Sequence, residues 1–227
     1  MPGVQIHELT IADEPGTWAA LGFAVDGDVC RVGSVPIRLA GRDAGRGIVG
    51  WTLGEIASDE LDGLPTRRGD DPAPSADAPA PRADDPAPPV DAAAPHPNGI
   101  TAFDHVVAIT PALDRTIAAL QDAGLDLRRI REEPTPAGAP RQAFFRLGDV
   151  ILEVVQAPDD ALERSGGADG PAFFWGLAFK VADLDATVAA IGEERCSQPR
   201  DAVQPGRRIA TLRRSAGLAV PVALMTE

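Results

Sequence analysis

Two polar side chains in β-rich runs together have the chemistry of a small site. Glu153 lies within the run Val150 to Val155, and His105 lies within the run Ile100 to Ile109. An ionised carboxylate in a buried strand is unfavourable unless it is paired or bound to a cation. Imidazole and carboxylate are ligands for Zn, Ni, Mn or Fe(II), and the same pair can supply a general base and its orienting partner. His105 and Glu153 are therefore the candidate catalytic or metal-binding residues.

Four further side chains are of types that hold a small ligand. Arg207 and Arg141 each precede a predicted strand, where a guanidinium could hold a carboxylate or phosphate through two hydrogen bonds. The alternative for both arginines is a solvated position at a turn. Phe145 and Trp175 belong to aromatic clusters on predicted strands. Because side chains alternate between the two faces of a strand, these two could line a cavity while their neighbours pack in the core.

Helices that could position these residues occur twice. The segments 113–120 and 184–191 match in sequence, and in each the apolar residues recur every three or four positions. This spacing predicts two amphipathic helices. Thr110 and Asp183 are the predicted N-terminal caps of these helices, because a short polar side chain before the apolar stripe satisfies free backbone amides.

Strands complete the repeated unit. A β-rich run precedes each helix and apolar runs follow it, and Gly148-Asp149 between two such runs predicts a hairpin. The unit is a strand, a helix and three strands, and it occupies residues 99–157 and again 171–227. Residues 1–64 carry a divergent version of the unit, in which a further unit begins near Gly47 and is cut short.

Residues 65–98 separate the two parts of the chain. This stretch is rich in Pro, Ala and Asp and contains no Leu, Ile or Phe, so it has little apolar surface to bury. We expect a solvated linker, with His96 exposed to solvent within it.

The composition narrows the class of partner. The chain has 227 residues, a formal net charge of -13 and a hydrophobic fraction of 44%. The acidic balance argues against nucleic acid and anionic membrane as partners, and mildly favours a cationic ligand. The chain has no signal-like start and no membrane-length apolar run, and Cys30 and Cys196 have no metal-binding spacing. A cytoplasmic protein with a small-molecule ligand is therefore expected.

Three segments carry a resemblance to a known superfamily: FDHVVAIT, FFRLGDVILEVV and WGLAFKVADLDATVAA. In their tandem units they resemble the vicinal oxygen chelate superfamily, which includes glyoxalase I, extradiol dioxygenases, and the bleomycin and fosfomycin resistance proteins. The resemblance covers residues 99–227 well and residues 4–60 faintly. It implies an α+β fold in which paired βαβββ modules form cupped, incompletely closed mixed sheets. It does not imply a reaction, because this fold serves isomerases, lyases, dioxygenases and binding proteins.

The resemblance also implies where a metal site would lie. It places a histidine on the opening strand and a carboxylate on the closing strand of each unit, and His105 and Glu153 match these positions in the first unit. The second unit has Gly176 at the histidine position and Val222 or Ala223 at the carboxylate position, and these side chains cannot bind a metal. Two protein ligands fall short of the three that catalytic zinc sites usually keep.

The N-terminal unit has no chelating pair by the same comparison. His7 aligns with the histidine position, but Arg38 occupies the carboxylate position. Because a guanidinium cannot bind a cation, no metal is expected there, and His7 is more simply an ordinary strand histidine.

Two functions follow from these observations. The first is a glyoxalase-like protein that binds a small molecule in the cup, with a degenerate metal site and no cofactor. The alternative is a metal-dependent lyase, isomerase or dioxygenase, in which His105 and Glu153 hold Zn, Ni, Mn or Fe with a further, non-protein ligand. Whether the chain is an enzyme stays open. The strand edges left by the truncated unit predict packing against the rest of the chain or a homodimer.

Overall fold

The computed structural model describes residues 3–69, 95–134, 138, 140–158, 167 and 169–227. The N-terminal part consists of helix α1 and six strands: α1 (Pro15–Ala19), β1 (Gln5–Ile11), β2 (Val25–Asp26), β3 (Val29–Val32), β4 (Val35–Leu39), β5 (Ile48–Gly54) and β6 (Thr66–Arg68). In the C-terminal part, the described residues form two α-helices and eight strands: α2 (Leu113–Asp122), α3 (Leu184–Ile191), β7 (Ile100–Thr110), β8 (Asp126–Arg131), β9 (Gln142–Leu147), β10 (Val150–Gln156), β11 (Phe173–Val181), β12 (Arg200–Asp201), β13 (Arg208–Thr211) and β14 (Val222–Met225). No helix in the described part of the chain is both long enough and apolar enough to cross a membrane.

The strands form two open, mixed sheets. The strand order is β2-β3-β4-β1-β5-β6 in the six-stranded sheet and β12-β13-β14-β11-β7-β10-β9-β8 in the eight-stranded sheet. In the eight-stranded sheet, β10 runs parallel to β7 and β14 runs parallel to β11, while β7 and β11 pair antiparallel at the centre. Each half is thus one βαβββ module, and the modules meet through their opening strands. The α+β fold of paired modules expected from the sequence is confirmed.

The six-stranded sheet repeats this arrangement in shortened form. Strands β1 to β4 and α1 make one module, with β4 parallel to β1. Strand β5 pairs antiparallel with β1, as β11 does with β7, and β6 runs parallel to β5, as β14 does to β11. The second module of this sheet therefore consists of an opening and a closing strand. Its closing strand, β6, lies at the start of the stretch expected to be a linker, and residues 70–94 of that stretch lie outside the described residues.

A shared backbone contact identifies the same point in both sheets. The amide after Gly176 donates to the carbonyl oxygen of Pro221 at 3.0 Å, and the amide after Gly50 donates to that of Pro65 at 3.1 Å. A Cβ atom added to either glycine would lie 2.9 Å from the same proline oxygen. Glycine is required at both positions because the closing strand approaches the opening strand too closely for a side chain.

The two sheets share one hydrophobic core. The ring of Trp51 on β5 lies 4.8 Å from that of Phe174 on β11, and Trp18 of α1 lies 6.2 Å from Phe179 of β11. Buried residues of both sheets belong to a single cluster. We call the face of each sheet that contributes to this core its inner face, and the opposite face its outer face.

Two carboxylates, one of them fully buried, join the two parts at the edges of the core. The fully buried side chain of Asp13 accepts hydrogen bonds from the amide of Ala219 at 2.9 and 3.0 Å and from Trp18 Nε1 at 3.2 Å. Burial raises the pKa of Asp13. Asp62 pairs with Arg115 at 2.7 Å. These contacts fix the N-terminal part against the C-terminal part.

Two of the residues that lead into β7, His96 and Asn98, are buried, which contradicts the expectation of a solvated His96. His96 is 8% exposed, its Nδ1 accepts a hydrogen bond from the amide of Ala24 at 2.9 Å, and its ring packs edge-on against Phe23. Asn98 donates to the carbonyl oxygen of Leu21 at 3.0 Å. The average composition of residues 65–98 predicted a solvated linker and gave no sign that residues 96–98 at its end pack against the N-terminal part. Burial lowers the pKa of His96.

The helix starts follow the sequence in one case only. Asp183 caps α3 as predicted, because its Oδ1 accepts a hydrogen bond from the amide of Ala186 at 3.0 Å. Helix α2 begins later than predicted. Thr110 remains in β7, where its hydroxyl shares a 2.6 Å hydrogen bond with that of Thr116 and accepts one from the amide of Ala112 at 3.1 Å.

Candidate functional site

The candidate site lies on the outer face of the eight-stranded sheet, where β7, β10 and β9 run side by side. Glu153 on β10 pairs with Val107 on one side and Phe144 on the other, and His105 pairs with Ile151. Residues that pair across neighbouring strands share a face of the sheet. The structure therefore brings His105 and Glu153 together on the outer face.

A β-bulge adds a third side chain to this face. Ala178 pairs with His105, but Phe179 pairs with Phe103, so Asp104 is an extra residue with no partner on β11. The bulge leaves Phe103 in the core and turns both Asp104 and His105 outward. Strict alternation along β7 would place Phe103 and His105 on one face, but alternation fails across a bulge.

Four side chains form a line across the outer face. Asp104 Oδ2 lies 2.7 Å from His105 Nδ1, and His105 Nε2 lies 3.5 Å from Glu153 Oε2. On the far side, Gln142 Nε2 donates to Glu153 Oε1. The first contact is a short hydrogen bond, whereas the 3.5 Å separation is longer than a normal one. Hydrogen bonds therefore join Asp104 to His105 and Gln142 to Glu153, whereas no normal hydrogen bond joins His105 to Glu153.

Two cations meet the Asp104 end of the line. Asp104 Oδ1 lies 3.2 Å from Arg207 Nη1 and 3.7 Å from the Nζ of Lys180, which is the only lysine in the chain. Burial by itself would raise the pKa of Asp104, but the hydrogen bond and charge of His105, together with Arg207, outweigh it and bring the pKa to about 2. Asp104 is therefore ionised at neutral pH.

Glu153, the other carboxyl group of the line, has its pKa shifted in the opposite direction. Burial raises the pKa of Glu153, and the charge of His105 and the hydrogen bond from Gln142 only partly offset that effect. Two carboxyl groups whose pKa values are driven apart can serve as a fixed anion and a proton-carrying acid. The line thus places an anion on one side of His105 and a carboxyl group that retains its proton more readily on the other.

Two of the predicted ligand-binding residues lie on the same face as this line. Arg207 reaches it through Asp104. Trp175 is 49% exposed and alternates with Phe174, whose ring packs in the core, so Trp175 and Phe173 face outward. Phe173 pairs with Ile109 and is 43% exposed, which places an aromatic surface toward the opposite end of β7 from Asp104.

The other two predicted ligand-binding residues lie elsewhere. Phe145 is fully buried on the inner face of β9, and its neighbour Phe144 takes the outward position beside Glu153. Arg141 donates to Glu132 at 2.8 Å and to Asp114 of α2 at 3.0 Å, so its guanidinium is engaged at the helix side of the sheet. We therefore replace Phe145 by Phe144 in the candidate site and leave Arg141 out of it.

The sequence did not single out Asp104, Gln142 or Lys180. Asp104 directly precedes His105 in a β-rich run, and a polar pair of this kind was the available signal for a bulge. Gln142 lies two residues before Phe144, and alternation alone places it on the same face. Lys180 carried no local signal, because its approach to Asp104 depends on the pairing of β11 with β7.

The N-terminal sheet has a different set of residues at the equivalent positions. The extra residue of the bulge in β1 is His7, so Glu8 takes the histidine position, one residue later than the sequence alignment indicated. Arg38 takes the carboxylate position, and its Nη2 donates to Glu8 at 2.8 Å while its Nη1 donates to Asp28 at 2.8 Å. The alignment of His7 with the histidine position is therefore wrong by one residue, because the bulge shifts the register.

Comparison with known proteins adds solved structures only; no family model and no curated protein matches the chain. Methylmalonyl-CoA epimerase from Mycobacterium tuberculosis is 19% identical, with 56% of this chain and 89% of that chain covered and a TM-score of 0.45. A Streptomyces coelicolor methylmalonyl-CoA epimerase in complex with 2-nitronate-propionyl-CoA is 23% identical, with 56% and 95% covered and a TM-score of 0.46. A hypothetical protein from Bacillus halodurans is 14% identical, with 55% and 93% covered and a TM-score of 0.44.

Strand order and register decide the fold. Each opening strand pairs in parallel with its closing strand, and opening strands pair with each other at the centre of both sheets. This chain has the vicinal oxygen chelate fold. The fold assignment leaves the reaction and the ligand open, because this fold serves several kinds of chemistry.

The residues present do not fit the metal site of a vicinal oxygen chelate enzyme. In the first module, Glu153 pairs with the residue two positions after His105. In the second module, Ala223 pairs with the residue two positions after Gly176. Gly176 therefore takes the second histidine position and Ala223 the second carboxylate position. A side chain at Gly176 would displace Pro221. Within the described ranges, no group of three or more His, Cys, Asp or Glu side chains could hold a metal ion. His105 and Glu153 alone supply fewer ligands than a catalytic site needs.

Two hollows elsewhere on this vicinal oxygen chelate fold are too small for a typical ligand. Their volumes are about 110 and 160 Å³, below the roughly 300 Å³ at which ligand pockets begin. One is lined by His7 and Gly54 and the other by Val35 and Leu147, among others, and neither includes the line of side chains.

Proposed function

We propose that this protein binds a small, oxygen-bearing molecule on the outer face of the eight-stranded sheet, without a metal ion held by its side chains. The observation that carries this proposal is the outward-facing pair of His105 and Glu153, set opposite Gly176 and Ala223. Glu153 contacts the ligand. Its raised pKa favours the protonated carboxyl, which donates a hydrogen bond to a ligand oxygen. No cofactor is required.

The two ends of the site favour a ligand with unlike ends. Lys180 and Arg207 share a single carboxylate, Asp104, so the cationic end suits a carboxylate or a similar anionic group. At the other end, Phe173 and Trp175 offer an exposed aromatic surface for an apolar part of the ligand. The net charge of -13 attracts cations at long range, but contacts at the site decide which ligand stays bound.

The fluorescence of one tryptophan can report binding directly. Trp175 is 49% exposed, whereas Trp18 and Trp51 are 0% and 2% exposed, so an external quencher acts chiefly on Trp175. We would titrate small 2-oxo acids, thiol adducts, catechols and cationic antibiotics. A carboxylate-bearing compound is expected to give a saturable blue shift and to protect Trp175 from acrylamide. Trp175→Phe is the control that should abolish the signal.

Glu153→Gln tests the group assigned to the ligand. The substitution keeps the size of the side chain but replaces the acidic O–H donor by a weaker amide N–H donor. We expect an affinity loss of up to roughly fivefold, since a hydrogen bond contributes about 1 kcal/mol. Unchanged affinity in this variant, or no saturable change with any compound class in the unaltered protein, would overturn the proposal.

Metal analysis of protein purified without a His-tag tests the metal-free part separately. Mn, Fe, Ni or Zn at near one ion per chain would overturn it and would favour the alternative function, a metal-dependent lyase, isomerase or dioxygenase. The control is Glu153→Leu, which removes one of the two available ligands and should release such an ion.

Catalysis is a second candidate function, and one observation favours it. The ionised Asp104 and the more readily protonated Glu153 flank His105, the arrangement expected of an acid and its electrostatic partner. For a ligand with a C–H bond next to a carbonyl, NMR in D₂O would detect exchange of that hydrogen. Exchange in the unaltered protein that disappears in Glu153→Gln supports an enzyme; binding without exchange leaves a binding protein.

A homodimer is the proposed partner state. Strands β8 and β12 end the eight-stranded sheet, and β2 and β6 end the six-stranded sheet, so each edge presents backbone groups that another strand can pair with. Size-exclusion chromatography with light scattering distinguishes the states. A dimer whose mass falls to that of one chain when a proline is placed in β8 supports pairing at that edge, and a strict monomer removes the proposal.

A further inference from the structure

We propose that Asp104 is a positioning residue that fixes the tautomer of His105, so that Nε2 faces Glu153 as a hydrogen-bond acceptor. The meaning of this arrangement for a ligand rests on the proposed function. The tautomer itself is a property of the free protein and can be measured without any ligand.

The backbone is built to make the contact between Asp104 and His105. Consecutive residues of a regular strand point to opposite faces, so a neighbouring Asp and His would normally be kept apart. The bulge at Asp104 removes that separation and brings Oδ2 to 2.7 Å from Nδ1. The equivalent bulge in β1 places His7 beside Glu8, where no such contact is formed by the described atoms.

The groups around Asp104 determine which partner carries the hydrogen. Arg207 and Lys180 occupy the Oδ1 side and can only donate, which keeps Asp104 as an ionised acceptor. The hydrogen between Asp104 and His105 must then lie on Nδ1. A neutral imidazole with its hydrogen on Nδ1 has its lone pair on Nε2, the atom that lies 3.5 Å from Glu153 Oε2.

The consequence falls on Glu153. Nε2 as an acceptor repels an ionised carboxylate and favours a carboxyl group that carries a hydrogen. Because Nε2 and Oε2 are 3.5 Å apart, longer than a normal hydrogen bond, the single hydrogen of this carboxyl group is not committed to Nε2. It can be donated to a ligand acceptor such as a carbonyl or carboxylate oxygen. An ammonium group as the primary contact is disfavoured, since ammonium can only donate.

The tautomer can be observed by NMR of protein labelled with ¹⁵N-histidine. The chain has three histidines, so two substitutions, His7→Gln and His96→Gln, assign all the signals. Across a pH series, the neutral form of His105 is expected to show the pattern of hydrogen on Nδ1. The opposite pattern in the unaltered protein, with hydrogen on Nε2, overturns the proposal whatever any variant does.

Asp104→Asn provides the decisive variant. Because Arg207 and Lys180 only donate, the amide oxygen should stay on their side and the amide nitrogen should face Nδ1. Nδ1 must then accept, and the hydrogen moves to Nε2, as occurs when the triad aspartate of a serine protease is changed to asparagine. Asp28→Asn, which removes a carboxylate from the Arg38 cluster on the other sheet, is the matched control and should leave His105 unchanged.

The outcomes separate this proposal from the proposed function. A tautomer that switches in Asp104→Asn supports the positioning role even if no compound binds, in which case only the proposed function fails. An unswitched tautomer in folded Asp104→Asn overturns the positioning role even if Glu153→Gln abolishes binding. A merely structural Asp104 would alter the melting temperature and leave the tautomer as it was.

Discussion

The two sheets use the same module but fill equivalent outer positions in opposite ways. In the six-stranded sheet, Arg38 donates to both Glu8 and Asp28 from Nε, Nη1 and Nη2, so the charged groups satisfy one another. In the eight-stranded sheet, His105 and Glu153 lie 3.5 Å apart and do not complete a hydrogen bond. Location at these positions of the module is therefore not sufficient for a ligand-binding site. The incomplete pairing leaves donors and acceptors that a ligand can use.

Burial differs between the two clusters in the same sense. The side chains of Arg38 and Glu8 are 42% and 28% exposed, whereas that of Glu153 is 16% exposed. Water screens the first cluster, so its ion pairs contribute little to stability. The second cluster is less screened, and its protonation states respond more strongly to their neighbours. We consequently expect ligand binding on the eight-stranded sheet and a purely structural role for the ion pairs of the six-stranded sheet.

The largest expected effect tests whether the two sheets are truly equivalent. Gly176→Ala and Gly50→Ala each place a Cβ 2.9 Å from a proline carbonyl oxygen, and backbone cannot yield cheaply. We expect each to lower the free energy of unfolding by about 1–3 kcal/mol, the usual range for overpacking. Urea unfolding followed by circular dichroism measures both losses.

Gly16→Ala is the control for these substitutions. Gly16 lies in α1 with no atom within 4 Å of an added Cβ, so the stability should be unchanged or higher by up to about 1 kcal/mol. A large loss for Gly176→Ala together with none for Gly50→Ala would break the equivalence, and would mean that β5 and β6 are only loosely held together.

The sequence predicted the repeated module because its period and turn signals are local. The two helices match each other directly, and Gly33 and Gly148 hold the same two-residue hairpin with φ of 61° and 62°. That hairpin fixes the register of the closing strand. It explains why Arg38 and Glu153 were correctly assigned to one position from the sequence.

What the sequence missed depends on contacts between distant strands. A bulge appears only when two strands pair, so Asp104 was overlooked and His7 was assigned the position of Glu8. The choice between Phe144 and Phe145 needed the strand face, because the two residues are identical in type. The position of Arg141 could not be predicted because its acidic partners come from α2 and from the loop after β8.

The second expected effect is a pH-dependent loss of stability in Asp104→Asn, a variant of the eight-stranded sheet. The pKa of Asp104 is about 2 in the folded chain and 3.8 without its partners, so it contributes stability above pH 3.8 that is lost as the pH falls toward 2. This difference corresponds to about 2 kcal/mol. Asp104→Asn should therefore be less stable than the unaltered protein near neutral pH and nearly equal to it near pH 2.

Two other buried carboxyl groups also contribute to the pH dependence of stability. The raised pKa values of Glu153 and Asp13 act with the opposite sign, because the folded chain takes up their protons first and gains stability as the pH falls. In the part of the chain that the structure describes, Asp13 has no contact with Asp104, and it cancels in the difference. Glu153 loses the pKa-raising charge of Asp104 in the variant, so the comparison is repeated in the Glu153→Gln background, where that contribution is absent. Asp28→Asn on the six-stranded sheet is the control; a similar curve for both variants would contradict the contrast between the sheets.

The smallest expected effect is that of Arg38→Gln on stability, and it gives the sharpest contrast between the Arg38 cluster and the line that contains Glu153. Arg38→Gln removes every ion pair of the six-stranded cluster, yet exposed pairs of this kind contribute only about 0.2–1 kcal/mol. Its thermal transition should move slightly, and the ligand-induced change of Trp175 fluorescence should not move at all.

Glu153→Gln should show the reverse. Because burial disfavours the ionised carboxylate, replacing it with an amide should leave stability at neutral pH unchanged or slightly higher, while ligand affinity falls. Thermal melting and fluorescence titration on the same samples give both quantities. If Arg38→Gln were to abolish binding while Glu153→Gln lowered stability alone, the roles of the two sheets would be exchanged: the closed ion-pair cluster would be the site, and the open line a structural element.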